Sequence, residues 1–232
     1  MPIIVEIENA TALSQAFDKV FDYFRLVDEK FSTYKDTSEV SRINRGEILS
    51  ADFSDEMKNI FLFAEQTKKE TKGYFDITKR DGMVDPSGLV KGWAILNASK
   101  ILERLGVKSY YIEAGGDIQV AGKIWKVGIR NPFKSAENIK VLFLKSEGIA
   151  TSGTYERGQH IYNPHGKISD EIVSLTVIGP NIYEADRFAT AAFAMGRAGI
   201  AFIEKLSGFE GFMIDKNGIG TETSGFEKYT AK

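Results

Sequence analysis

Asp186 and Thr190 stand four residues apart in the stretch EADRFATAAFAMG, residues 184–196. On a helix that spacing puts both side chains on one face. Two oxygen side chains on one face are suited to a hard cation that keeps water or a phosphate in its other positions, and Mg²⁺ held partly by a phosphate is the natural reading. The bland alternative is an acid favoured by the helix dipole and a threonine bonding back to its own helix.

Three further stretches carry chemistry. VDPSGLVKGWA, residues 84–94, sets Asp85 and Ser87 ahead of a helix and Lys91 one turn into it. Free N–H groups at such a helix start favour a phosphate, although a capped helix with a surface lysine would read the same. EAGGDI, residues 113–118, has Gly115 and Gly116 at a strand end, followed by Asp117. Glycines there let backbone N–H groups approach a ligand, or simply make a hairpin turn. IATSGTYERGQHIYNPHG, residues 149–166, crowds Thr151, Ser152, Tyr155 and His160 into one polar stretch. It reads as a long loop in which His160 could act as a general base near neutral pH. The standard phosphate loops are absent: GDIQVAGK at 116–123 has the wrong length for a Walker loop, and no G-x-G-x-x-G follows a strand.

The elements that must position these groups are legible in outline. Ile3, Val5 and Ile7 alternate as in a strand. Leu13, Phe17, Val20, Phe21, Phe24 and Phe31, with Ala16, trace one face of a long helix from Thr11. A short helix is expected from Ser38. Ser54 caps another that Gly73 closes. A helix after Asp85 stops at Gly106. Strands are expected at SYYIEA, IQVAG, WKVGIR, KVLFLK, VSLTVIG and GFMID, and a helix at 184–196 is continued or followed by GIAFIEKL. GVKSYYIEAGGDI, residues 106–118, echoes GFEGFMIDKNGIG, residues 208–220, and at the same offset Gly88 matches Thr190. Helix and strand mix without regular alternation, so the class is α+β, with a duplicated helix-plus-hairpin unit.

Composition bounds the function. The chain has 232 residues, 43% hydrophobic and 27% charged, enough for a real core. A net charge of −2 gives no pointer to nucleic acid. With no cysteine there is no disulfide and no thiolate metal site. The N-terminus MPIIVEIENA does not read as a signal peptide, and no run is long enough to cross a bilayer.

Taken in order, FSTYKDTSEVSRIN, GYFDIT, VDPSGLVKGWA, EAGGDI, WKVGIRNP, IATSGTYERG, HIYNP, SLTVIG and EADRFATAAFAMG resemble the ApbE-like family, the FAD:protein FMN transferases. The resemblance covers roughly residues 31–196. It implies a single ApbE-like domain over 1–232, built from two T-fold-like halves of mixed or antiparallel sheet with helices, and an FAD and Mg²⁺ cleft between them. Family members cut FAD at its pyrophosphate, release AMP and attach FMN to a Thr or Ser of an acceptor protein; some hydrolyse FAD to FMN and AMP. Asp186 and Thr190 match the family's metal-binding side chains, with a backbone oxygen near Gly88. His160 matches its base. Tyr34, Asp76, Asp85, Lys91, Ser152 and Tyr155 match positions lining the flavin nucleotide, where Gly115, Gly116 and Asp117 also fall.

The chain departs from the family pattern. Only six residues separate Thr78 from Asp85, only Gly158 and Gln159 separate YER from His160, and Asn163 replaces the commoner Asp. A shortened cleft leaves open an FAD pyrophosphatase or a non-catalytic flavin-binding protein. The family's usual leader and lipid-anchoring cysteine are missing, so a cytoplasmic protein is expected, with an exported form lacking its removed leader as the alternative. The expected partners are FAD and an acceptor flavoprotein, with a homodimer as an arrangement to check.

Overall fold

The computed structural model describes all residues except 9–12, 135, 155–160, 162–164, 166–170 and 231–232. The chain runs β1 (Ile3–Glu8), α1 (Leu13–Phe31), α2 (Glu39–Asn44), α3 (Asp55–Glu70), α4 (Ser87–Arg104), β2 (Ser109–Ala114), β3 (Asp117–Ala121), β4 (Trp125–Arg130), β5 (Asn138–Leu144), β6 (Gly148–Gly153), β7 (Ile172–Gly179), α5 (Ile182–Ala194), α6 (Ala198–Ile203), β8 (Glu210–Asp215) and β9 (Gly220–Glu222). Short 3₁₀ turns occupy Ser50–Asp52 and Phe226–Tyr229.

Seven strands form one sheet in the order β1-β2-β3-β6-β7-β8-β9, and β4 pairs β5 separately. Every strand pairing among the described residues is antiparallel. The period-2 alternation sends each strand's side chains to two different cores. On one face Ile112, Ala150, Leu175, Val177 and Met213 meet Val20 and Phe24 of α1, Ile95 and Leu102 of α4, and Ala185 and Ala189 of α5. On the other face Ile118, Val120, Ile149, Phe212 and Ile214 meet Trp125, Val127, Leu142 and Leu144 of the β4–β5 hairpin. The molecule is therefore layered: helices, seven-stranded sheet, two-stranded hairpin. A third cluster, with Met57, Ile60, Phe75 and Leu89, joins α3 to the start of α4. No helix among the described residues is long and apolar enough to cross a membrane.

Local signals set the helix ends. Ser38 accepts from the Ser41 N–H and Ser54 from the Met57 N–H, as N-caps do. Asn181 accepts from the Glu184 N–H at the start of α5. The short segment between Thr78 and Asp85 folds as a tight hairpin, with Thr78 bridged to Val84 and the Lys79 N–H donating to the Met83 carbonyl.

The two echoing segments take the same local form. Each has a glycine in the left-handed region, Gly106 at φ +81° and Gly208 at φ +83°, leading from a helical segment toward a strand. β2–β3 and β8–β9 are both hairpins, and each first strand pairs on its other side with a strand that precedes the helices, β1 or β7.

One expectation is corrected. Residues 148–153 are a strand in the interior of the sheet, not the start of a long loop. Ala150, Ser152 and Gly153 are weak strand formers, and the segment has no apolar alternation. The segment is extended because β3 and β7 pair with it on both sides.

Candidate functional site

The site is built where α4, α5 and β3 converge. α4 and α5 run in opposite directions: Gly88 faces Thr190, and one turn further along α4 Gly92 faces Asp186. Glycine at both positions lets the helices approach closely. A Cβ on Gly92 would lie 2.7 Å from Asp186 Cβ and 2.7 Å from the Ile182 carbonyl oxygen, closer than side chains tolerate.

That approach has an electronic consequence. In a regular helix the Gly92 N–H donates to the Gly88 carbonyl. Here Asp186 Oδ2 takes a hydrogen bond from the Gly92 N–H at 2.8 Å. Asp186 thus competes for the donor that the Gly88 oxygen would otherwise use. The Thr190 hydroxyl lies 3.4 Å from that same Gly88 oxygen. Gly88 O, Thr190 Oγ1 and the Asp186 carboxylate are a set of hard oxygen donors, the kind Mg²⁺ or Ca²⁺ takes. The donor set fits such a cation. No group of three or more His, Asp or Glu side chains suited to a metal occurs among the described residues. A cation here would lean on backbone and hydroxyl oxygens as well as on carboxylates.

Neither Asp186 nor Thr190 plays a merely local part. The acid in the first turn of α5 is Glu184, which pairs with Arg187. Asp186 lies deeper and is 3% exposed. The Thr190 hydroxyl is directed at α4.

Asp117, first residue of β3, brings a second carboxylate. It is 1% exposed. Its Oδ1 accepts from the Thr151 N–H of β6 at 3.3 Å. Lys91 Nζ stands 2.8 Å from its Oδ2. No donor meets that oxygen in hydrogen-bond geometry among the described residues, and the Lys91 ion pair is its contact. The Asp117 and Asp186 carboxyl groups lie near enough for each to act on the other's charge. Burial, then repulsion from Asp117, pushes Asp186 well above the usual carboxylate range, with Lys91 and the Gly92 N–H opposing. Burial likewise raises Asp117, and Lys91 pulls it back in part. Burial and mutual repulsion thus both disfavour ionising the pair, as happens at many functional sites.

Gly115 and Gly116 form the two-residue turn between β2 and β3, with Ala114 paired to Asp117. Their φ values of +58° and +89° are those a type I′ turn requires. The hairpin reading of EAGGDI is therefore how the segment folds, and it places Asp117 directly after the turn. On the opposite face of the sheet the same two glycines border a cavity of about 220 Å³ whose walls include Glu113, Lys126, Arg130 and Thr151. That is below the roughly 300–1,000 Å³ of a typical ligand pocket, so it could enclose only part of a dinucleotide.

Ser152 is buried on β6 beside Thr151. Asp85 accepts from the Ser87 N–H at the start of α4 and pairs with Lys79 at 2.8 Å. Burial raises Asp85, but Lys79 and the Ser87 hydrogen bonds outweigh it and hold the carboxyl below its ordinary value. Asp76 pairs with Lys68 at 2.6 Å and accepts from the Thr78 N–H. Tyr34 is 92% exposed and is not enclosed by the described residues. His160 and Tyr155 lie outside the described residues. Gly92 was missed from sequence, although the Gly-x-x-x-Gly spacing of 88 and 92 was the available sign. Thr151 was read as part of the polar stretch, but nothing local marks its N–H as the partner of Asp117.

Comparison with known proteins decides the family. A model of the ApbE family matches residues 1–83 and 78–213. The chain belongs to the ApbE family. The FAD:protein FMN transferase of Salmonella typhimurium is 29% identical over 159 residues, which is 62% of this chain and 45% of that protein. The FAD:protein FMN transferase of Vibrio cholerae is 30% identical over 129 residues, 49% of this chain and 39% of that protein. The aligned part thus spans less than half the length of these ApbE relatives. Among solved structures, the ApbE protein of Thermotoga maritima superimposes with a TM-score of 0.86 at 20% identity, over 99% of this chain and 95% of that one. The flavin transferase ApbE from Vibrio cholerae gives 0.82 at 20% identity, over 98% and 95%. The α+β architecture described above is accordingly that of the ApbE fold.

Proposed function

We propose that this chain is a Mg²⁺-dependent FAD:protein FMN transferase. The observation that carries the reading is the meeting of α5 with α4, Thr190 against the Gly88 oxygen and, one turn along, Asp186 against Gly92. Family membership supplies the chemistry in which such a set would serve.

Gly88 O, Asp186 and Thr190 would hold the cation. Bound there, Mg²⁺ would supply charge neutralisation for the pyrophosphate and for the departing AMP. Lys91, one turn into α4, would add a cationic contact to the phosphates. The Gly115–Gly116 turn offers close backbone approach to the nucleotide. His160 would accept the proton of an acceptor Thr or Ser hydroxyl. The hydroxyl oxygen then bonds to the FMN phosphorus, the bond from that phosphorus to the bridging oxygen breaks, and AMP leaves with the electron pair. The equivalent placing of β2–β3 and β8–β9 supports a reading as two T-fold-like halves, with the cleft between them.

The test is to incubate the protein with FAD and Mg²⁺, with and without a flavin-free acceptor carrying the target hydroxyl, beside a chelator control. Transfer predicts an acceptor carrying covalent FMN and free AMP, both abolished by the chelator. FMN and AMP formed equally without acceptor would instead make the chain a pyrophosphatase. FAD intact in every mixture would overturn both.

A further inference from the structure

We propose that Asp117 is an additional ligand of the divalent cation, and that Lys91 occupies the cation's electrostatic place until it binds. The inference rests on the cation site proposed above and deepens it. Asp117 and Asp186 are both buried and act on each other's charge, with one ammonium, Lys91, 2.8 Å from Asp117. With both carboxyls ionised, this trio is one positive charge short. Buried charges are ordinarily paired or bound to metal.

The second observation is Asp117 Oδ2 itself. It is fully enclosed, has no aligned donor among the described residues, and lies on the side of the carboxylate that Lys91 approaches. The other oxygen, Oδ1, is fixed by the Thr151 N–H. One oxygen is thus anchored to the sheet and the other is left toward Lys91, an arrangement suited to a ligand and wasteful for a purely structural acid. With Asp117 Oδ2 included, the cation gains a second carboxylate beside Asp186, Thr190 Oγ1 and Gly88 O, and retains positions for water or a phosphate.

A cation bound to both carboxylates repels the Lys91 ammonium. That side chain is 19% exposed and so is not sealed in the core with the two acids. A lysine is a point charge on a flexible stem and can make that move. Released from Asp117, it faces the class of ligand that follows a divalent cation into such a site: the pyrophosphate of a nucleotide. Cation and pyrophosphate therefore bind cooperatively, with Lys91 exchanged from one to the other.

The experiment is calorimetric titration of Mg²⁺, and separately Mn²⁺, into nucleotide-free protein at one fixed pH. Inorganic pyrophosphate is then titrated with the cation present. Wild type, Asp117→Asn, Lys91→Met and Asp186→Asn are compared, with folding checked by circular dichroism. Asp117→Asn should weaken cation binding by about tenfold or more. Lys91→Met should tighten cation binding, because its competitor is gone, and weaken pyrophosphate binding. That pair of opposite signs is not what loss of a structural ion pair would produce. Cation affinity in Asp117→Asn within about twofold of wild type, alongside loss in Asp186→Asn, overturns this inference and leaves the site of Gly88, Asp186 and Thr190 standing. Unchanged affinity in Asp186→Asn overturns both. If Asp117→Asn fails to fold, Lys91→Met decides: cation binding equal to or weaker than wild type overturns the inference.

Discussion

The Gly92 N–H of α4 donates to Asp186 Oδ2 of α5 across 2.8 Å, a hydrogen bond between two helices rather than within one. It fixes the carboxylate's direction, and it is made only because residue 92 has no side chain. Asp186, Gly88 and Thr190 are brought together by that close approach.

Gly92→Ala tests it directly. In an exposed helix this change would stabilise by about 1 kcal/mol through helix propensity. Here the added Cβ meets the Ile182 carbonyl oxygen at 2.7 Å, a backbone atom that cannot rotate away. Overpacking of this kind costs about 1–3 kcal/mol. Urea denaturation should show net destabilisation, and Mg²⁺ should no longer raise the melting temperature. A more stable variant would mean that the helices separate freely at this point.

The buried acid pair has a pH signature. The folded values of Asp117 and Asp186 are raised, so the folded protein holds protons that the unfolded chain gives up. Their contribution is fully present below the ordinary carboxylate value of about 4 and is lost as pH rises through the raised folded values. In metal-free buffer, stability of the wild type relative to Asp186→Asn should therefore fall as pH rises from about 4 toward neutrality. Comparison with the variant cancels acids such as Asp85, whose value is lowered and whose effect has the opposite sign. A pH-independent difference would mean that Asp186 ionises normally.

Asn44 anchors the approach to α4. Its side chain donates to the Val84 carbonyl at 2.9 Å and accepts from the Val84 N–H at 2.7 Å. Asn44→Ala leaves both backbone groups without their partner and should cost about 1–3 kcal/mol in chemical denaturation. FAD affinity should fall with it, since Asp85 is the next residue. Loss of stability with unaltered FAD affinity would remove the Asp85 segment from the nucleotide site.

Gly116→Ala separates backbone from packing at the β2–β3 turn. At φ +89°, with nothing within 4 Å of a new Cβ, the change meets backbone strain alone. The expected cost is about 1–2 kcal/mol, read as a lower melting temperature. Gly115→Ala adds a collision with the Met1 side chain and should cost more. Equal costs would show that Met1 yields.

Much of this was readable from local rules. Ser38 and Ser54 cap their helices because a hydroxyl before a helical run can satisfy orphan N–H groups, which needs only neighbouring residues. The glycine pair at 115–116 turns because both positions need positive φ. β6 was not readable: GIATSG has no alternation of apolar and polar residues, and its extension comes from two neighbouring strands.

For the site, sequence alone determined that Asp186 and Thr190 share a helix face, because a helix is a local, periodic object. It also determined family membership through motifs in order. Only the tertiary structure decided that Asp117 meets Asp186, that Lys91 pairs with Asp117, and that Gly92 opens the gap in which this happens. Those contacts join α4, β3 and α5. Whether two acids repel, share a partner or are cut off from water depends on distances and burial that no spacing along the chain contains.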